Sequence, residues 1–186
     1  MSKIIKVALL GDSIRMNYGP ETARLLGCGY EVWQPEDNCR FSKYLLQGIF
    51  VDWRENIAAC GIAHFNAGNW DISDNVGDGP LSGKEEYAGN ILRAARFLKT
   101  LVPVVCFATT TPVREEREIT DNRLVAEYNE AVVPLLKKEG VLINDLYSVV
   151  NSDINRYIRG DDLTHLSDEG IKACAEKTAE FIRNIK

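Results

Sequence analysis

Histidine is scarce in this chain: the 186 residues include two, His64 and His165. Any chemistry that needs an imidazole base therefore has few places to be. There is no excess of positive charge either. Lys and Arg number 22 against 27 Asp and Glu, interspersed, for a net charge of −5. A phosphate backbone needs a basic surface, so no nucleic-acid partner is expected. No stretch approaches the roughly 20 apolar residues of a membrane helix. The apolar run at residues 4–10 is short and is followed at once by Gly11-Asp12-Ser13, not by a small-residue cleavage site. The expectation is a cytoplasmic chain with no membrane partner. The five cysteines, Cys28, Cys39, Cys60, Cys106 and Cys174, are odd in number and contain no C-x-x-C pair. That fits reduced thiols better than a disulfide framework or a zinc site. Only Cys39 falls in a loop that could approach a histidine as a nucleophile. Repeats, low-complexity tracts and linker-like shifts in composition are missing, so residues 1–186 are expected to form one domain.

What is present is an alternation of strand and helix signals. Strands are expected at residues 4–10, 30–33, 61–65, 101–108 and 141–143, the first three closed by Gly11, Pro35 and the polar stretch 66–83. Helices are expected at 21–26, 41–49, 52–60, 84–100, 121–139 and 167–185. In the fourth of these, Tyr87, Ile91, Leu92, Ala95 and Leu98 recur at helical spacing. Pro134 should kink or divide the fifth. Ser167 is a plausible N-cap for the last, with acids in its first turn. This alternation predicts an α/β layered fold with a mainly parallel sheet. Ligands in such folds bind beyond the carboxyl ends of the strands. Polar groups fall just there: Asp12-Ser13, Asn38-Cys39-Arg40, the segment 66–71, and Thr109 to Thr111.

A serine hydroxyl is a weak nucleophile unless a base lies within hydrogen-bond reach, and histidine is the usual base. Ser13 directly follows an apolar strand. His165 lies in Asp161-Asp162-Leu-Thr-His165, between the fifth strand and the last helix, with Asp162 three residues before it. In a tight loop that spacing brings the carboxylate to the imidazole, where it would fix the tautomer. His64 sits inside an apolar strand and reads as a core histidine. Taken singly, Gly-Asp-Ser could be an ordinary helix-capping turn, and Asp-x-x-His could be a cap as well. Together, at the two ends of an α/β chain, they form a candidate Ser13–His165–Asp162 triad.

At these residues the sequence resembles the SGNH/GDSL hydrolases. Gly11-Asp12-Ser13-Ile14 is similar to that family's first block, and Asp162-Leu-Thr-His165-Leu-Ser-Asp-Glu-Gly170 to its last; Thr109-Thr-Thr-Pro-Val113 and Tyr128-Asn129 resemble stretches between them. The resemblance implies a three-layer α/β/α fold with a flavodoxin-like central parallel sheet of about five strands. It also implies ester hydrolysis through an acyl-enzyme, with no metal and no organic cofactor. Three oxyanion donors would be needed: the N–H of Ser13, a glycine N–H of a second block, and an asparagine side chain of a Gly-x-Asn-Asp block.

The second and third blocks depart from pattern. After the second strand the chain reads Glu36-Asp-Asn-Cys-Arg-Phe-Ser42, without glycine, so the N–H of Cys39 or of Arg40 is the candidate. An inward Arg40 could attract an anionic substrate. The third block reads Asn66-Ala-Gly-Asn69-Trp70-Asp71. Trp70 stands where an asparagine is expected, leaving Asn66 or Asn69; the rigidity of a strand end favours Asn66. Asp12 and Trp70 are the expected substrate contacts, with Trp33 and Trp53 also available for stacking. The expected substrate is a small-molecule or carbohydrate ester with a small acyl group such as acetyl. The alternatives are a lysophospholipase- or thioesterase-type hydrolase of the same fold, or a catalytically degraded binding module.

Overall fold

The structure is a computed structural model, and it describes residues 4–185. Five strands, β1 Ile5–Leu10, β2 Tyr30–Trp33, β3 Ile62–Phe65, β4 Val104–Ala108 and β5 Leu142–Asn144, form one sheet in the order β2-β1-β3-β4-β5. Every neighbouring pair is parallel. The helices are α1 Ser13–Leu26, α2 Ser42–Phe50, α3 Arg54–Ala58, α4 Asn69–Ile72, α5 Lys84–Leu101, α6 Asn122–Lys138, α7 Leu146–Asn151, α8 Ile154–Tyr157 and α9 Asp168–Arg183.

The period of two along a strand sorts side chains onto the two faces. Val7 and Leu9 of β1 and Cys106 of β4 pack with Leu26 of α1 and Ala179 and Ile182 of α9. Ala8, Leu10, Ala63, Phe65, Val105 and Phe107 pack on the other face against α2, α5 and α6. Both faces are covered, which explains why β1 and β3 read as continuous apolar runs rather than alternating ones. The layers are therefore helix, parallel sheet, helix.

Several elements differ from the sequence expectation. α1 begins at Ser13, eight residues before the expected start at residue 21. Gly19 and Pro20 argue against a helix there on propensity. Tertiary contact overrides it: α1 packs close to the loop after β2, where a Cβ on Gly19 would lie 2.2 Å from the end of the Gln34 side chain. Pro134 lies inside α6 and does not divide it. α7 and α8 were not expected. Each is too short to show a hydrophobic period, yet Asp145 and Asp153 cap them by accepting N–H bonds from Ser148 and Arg156. Ser167 does cap α9, accepting from the N–H of Gly170. Among the described residues, no helix is long and apolar enough to cross a membrane.

Candidate active site

β1 is flanked by β2 on one side and β3 on the other, so the chain reverses its direction of travel across the sheet at the end of β1. A crevice opens at such a switch point. Ser13 stands there as the first residue of α1. Asp12 caps that helix, its Oδ1 accepting the N–H of Ile14 at 3.0 Å. The N–H of Ser13, in the first turn, has no carbonyl within the helix to bond, and it points where the helix dipole favours negative charge.

The other end of the chain supplies the partner. Residues 158–166 form a tight loop closed by an antiparallel bridge between Ile158 and Leu166. Arg159 N–H donates to the His165 carbonyl at 2.8 Å. Arg114 fastens the loop from outside, its N–H donating to the Leu163 carbonyl at 2.9 Å and its Nε to the Ile158 carbonyl at 3.0 Å. Leu163 takes a left-handed φ of 65°, which turns the chain so that Asp162 faces His165. His165 Nε2 lies 2.8 Å from Ser13 Oγ. Its Nδ1 lies 3.0 Å from Asp162 Oδ2.

Asp162 Oδ1 accepts two backbone N–H groups, from His165 at 2.8 Å and Thr164 at 2.9 Å. Burial alone would raise this carboxyl; the two N–H bonds and the imidazole outweigh it and lower the pKa to about 2. Asp162 is therefore ionised at any working pH. The geometry matches what an activated serine requires: a nucleophile bonded to a base, and the base oriented by a third group.

These residues open onto a cleft of about 280 Å³ lined by Ser13, Asn38, Asn69, Trp70, Arg117 and His165, together with Ser73, Asn75, Asp162 and Thr164. Trp70 is 39% exposed and presents its indole to the cleft. Trp53 is buried and Trp33 packs against the core, so neither reaches it.

Four expected contacts fall elsewhere. The N–H of Cys39 is spent on the Gly11 carbonyl at 3.1 Å, while its Sγ accepts the Gly11 N–H at 3.2 Å. Burial pushes that thiol up to about 11, which also removes it as a nucleophile. The N–H of Arg40 donates to Asn38 Oδ1 at 2.9 Å, and its guanidinium lies over the Tyr44 ring, outside the cleft. Arg40 nevertheless has a φ of 46°, a left-handed conformation that explains why glycine suits this position. Asn66 is buried and does not line the cleft; its Nδ2 donates to Asp12 Oδ1 at 3.2 Å. Asp12 is likewise buried, and burial raises its pKa; it positions α1 and Asn66 and does not touch the cleft.

Asn69 does line the cleft. Its Nδ2 reaches Thr111 Oγ1 at 3.5 Å, a weak bond that leaves the amide available. Gly68 makes this possible: a Cβ there would lie 2.1 Å from Thr110 Oγ1, and Thr110 is clamped by the Asn129 side chain through both its N–H and its carbonyl, each at 2.9 Å. Asp71 is buried and accepts the N–H and hydroxyl of Ser42 at 2.8 and 2.6 Å, tying the start of α2 to α4. Sequence reasoning missed Arg117, and it noted Asn38 without giving it a role. Arg117 sits in a run of alternating charges that reads as a solvated loop, and no signal in the sequence marks it as inward. Among the described residues, no cluster of three or more His, Cys, Asp or Glu is placed to hold a metal.

Fold and geometry together define an α/β/α architecture with a Ser-His-Asp constellation at its switch point. The fold is shared with solved structures described as GDSL-like lipases, acylhydrolases and acetylxylan esterases. Against a catalytic mutant of an acetylxylan esterase from Geobacillus stearothermophilus the TM-score is 0.81 at 15% identity, covering 100% of this chain and 97% of the other. A lipase/acylhydrolase from Enterococcus faecalis gives 0.80 at 15% identity, covering 97% and 96%. A GDSL-like lipase from Bacteroides thetaiotaomicron gives 0.76 at 18% identity, covering 96% and 87%. No protein-family model and no curated protein matches the sequence.

Proposed function

We propose that the chain is a serine esterase that hydrolyses small acyl esters, acetyl esters of carbohydrates in particular, through an acyl-enzyme on Ser13. The observation that carries this reading is the unbroken line of contacts from Ser13 Oγ to His165 Nε2 at 2.8 Å and from His165 Nδ1 to Asp162 at 3.0 Å. His165 takes the Ser13 proton as the hydroxyl attacks the acyl carbon. The same proton is then given to the leaving alcohol. Water, activated by His165, releases the acid in a second round. The acetylxylan esterase of similar fold has been studied as catalytic mutants, one in a serine and one in a histidine, which supports the assignment of Ser13 and His165. A cleft of about 280 Å³ lies at the small end for ligand sites; it suits an acetyl group and a sugar ring better than a long acyl chain.

The tetrahedral oxyanion would be held by the N–H of Ser13, by Asn69 Nδ2 and by Asn38 Nδ2. Asn38 enters because the two neighbouring backbone donors are spent. Its Oδ1 accepts the Arg40 N–H, which fixes the amide so that its NH₂ is the free end. Replacing Asn69 by Ala is expected to lower kcat by roughly 100-fold with little change in KM. Asn38→Asp separates two roles at its position. Aspartate still accepts the Arg40 N–H, so a purely structural Asn38 would tolerate it. A donor role predicts a loss of roughly 100-fold, because a carboxylate would face the oxyanion.

The whole reading is tested by labelling with a fluorophosphonate. Ser13 of the wild type should be modified, and Ser13→Ala and His165→Ala should not. A folded wild type that stays unlabelled and releases no acetate from acetylated xylo-oligosaccharides would leave a binding module as the better description.

A further inference from the structure

Among the described residues, two charged side chains line the cleft, Asp162 and Arg117. Asp162 is committed to His165, with Arg159 Nε 3.7 Å away on the same oxygen. Arg117 has no such commitment. Among the described residues, no carboxylate lies within 4.0 Å of its guanidinium, although Glu115, Glu116 and Glu118 surround it in sequence. Those three acids are exposed. The one bond of the Arg117 side chain runs from Nη1 to the Asp162 carbonyl oxygen at 3.3 Å, and its Nε is buried without an acceptor. By contrast, Arg24, Arg96, Arg123 and Arg159 meet carboxylates, and Arg15, whose Nε is likewise buried without an acceptor, bonds backbone carbonyls through both terminal nitrogens away from the cleft. A half-buried guanidinium left in this state costs free energy.

The position of Arg117 is also built. Its N–H donates to the Arg114 carbonyl at 3.1 Å and its carbonyl accepts the Thr120 N–H at 3.2 Å, while Arg114 itself is fastened to Ile158 and Asn155. The planar fork of a guanidinium matches a carboxylate in two parallel hydrogen bonds. Among the described residues, no second cation lines the cleft, so the site suits one negative charge rather than a phosphate dianion. When the acyl group is as small as acetyl, recognition has to come from the alcohol part of the ester. Trp70, exposed at the cleft, suits an apolar ring face, and the Asn75 amide lines the cleft beside it.

We infer that Arg117 binds a carboxylate on the alcohol part of the substrate, so that the preferred substrates are acyl esters of acidic sugars. This rests on the esterase reading above and names its substrate class.

The test is a matched pair: a methyl glucuronoside acetylated on a ring hydroxyl and the methyl glucoside acetylated at the same position. The wild type is expected to favour the acidic member by about tenfold or more in kcat/KM, the scale of one charge-assisted pair. Arg117→Met should bring the ratio close to one, and Arg117→Lys should keep part of it. A second measurement needs no variant: free glucuronate should inhibit the wild type competitively at lower concentration than glucose. Equal kcat/KM for the pair in the wild type, or an unchanged ratio in Arg117→Met, overturns the inference. Equal turnover of the neutral ester by wild type and Ser13→Ala would instead overturn the esterase reading, so the two failures are told apart.

Discussion

Asp162→Asn is expected to lower kcat by on the order of 10⁴-fold while leaving the fold and KM nearly unchanged. The size of the effect follows from where the amide must point. Asp162 Oδ1 accepts N–H bonds from both His165 and Thr164. An asparagine can satisfy two backbone donors only with its carbonyl oxygen, so its NH₂ turns toward His165 Nδ1. Nδ1 then has to be the acceptor, and the ring proton moves to Nε2. In that tautomer Nε2 donates to Ser13 Oγ and cannot take its proton. The base is present, at its normal distance, and in the wrong form. Because the backbone bonds survive, the melting temperature should shift by no more than a few degrees, which separates this loss from collapse of the 158–166 loop. Steady-state kinetics on an aryl acetate, with a thermal melt of the same sample, checks both halves. A loss below about tenfold would show that His165 is not the base in this reaction.

The features that were legible in the sequence are those set by local chemistry. β1 is an apolar run ended by glycine, and the rule that α/β sites follow strands singles out Ser13 without a structure. Asp162 and His165 are three residues apart, so one loop decides their meeting. What escaped depends on which polar groups the fold has already used. Nothing in Asn38-Cys39-Arg40 says that the Cys39 N–H is spent on Gly11, or that Asn38 accepts from Arg40. The rigidity of a strand end favours Asn66 over Asn69 in the sequence. The same rigidity places its amide beside buried Asp12, and the residue that lines the cleft is the one at the start of α4. The sequence expectation starts α1 late for a related reason: Gly19 and Pro20 are costly for a helix by propensity, and the packing of α1 beside Gln34 is not visible locally. In both places a tertiary contact overrides a local preference.

His64 yields the largest expected effect on stability. It lies on β3 with no solvent exposure, its Nε2 3.0 Å from Asn144 Nδ2, which also donates to Thr178 Oγ1 at 3.0 Å. A protonated ring would direct an Nε2–H at an amide N–H in a dry core. Burial accordingly lowers the pKa from 6.5 to about 4. The unfolded chain therefore takes up this proton first as pH falls. The contribution of neutral His64 is complete above pH 6.5 and is lost progressively down to about pH 4, amounting to about 3 kcal/mol of stability. Two buried acids act with the opposite sign. Asp12 and Asp71 have pKa values raised by burial, so the folded state takes up their protons first, and they gain stability as pH falls toward 3.8. Asp162, lowered to about 2, loses its contribution only below 3.8, under the His64 window. A comparison with His64→Gln removes these other groups from the difference. Urea midpoints measured between pH 7.5 and 4 should fall for the wild type relative to the variant, by an amount equivalent to about 3 kcal/mol. Parallel curves for the two proteins would mean that His64 titrates in the core as it does in water. The variant is expected to be less stable at neutral pH, since it gives up the ring's packing against Phe181, and yet to lose less of its stability on acidification.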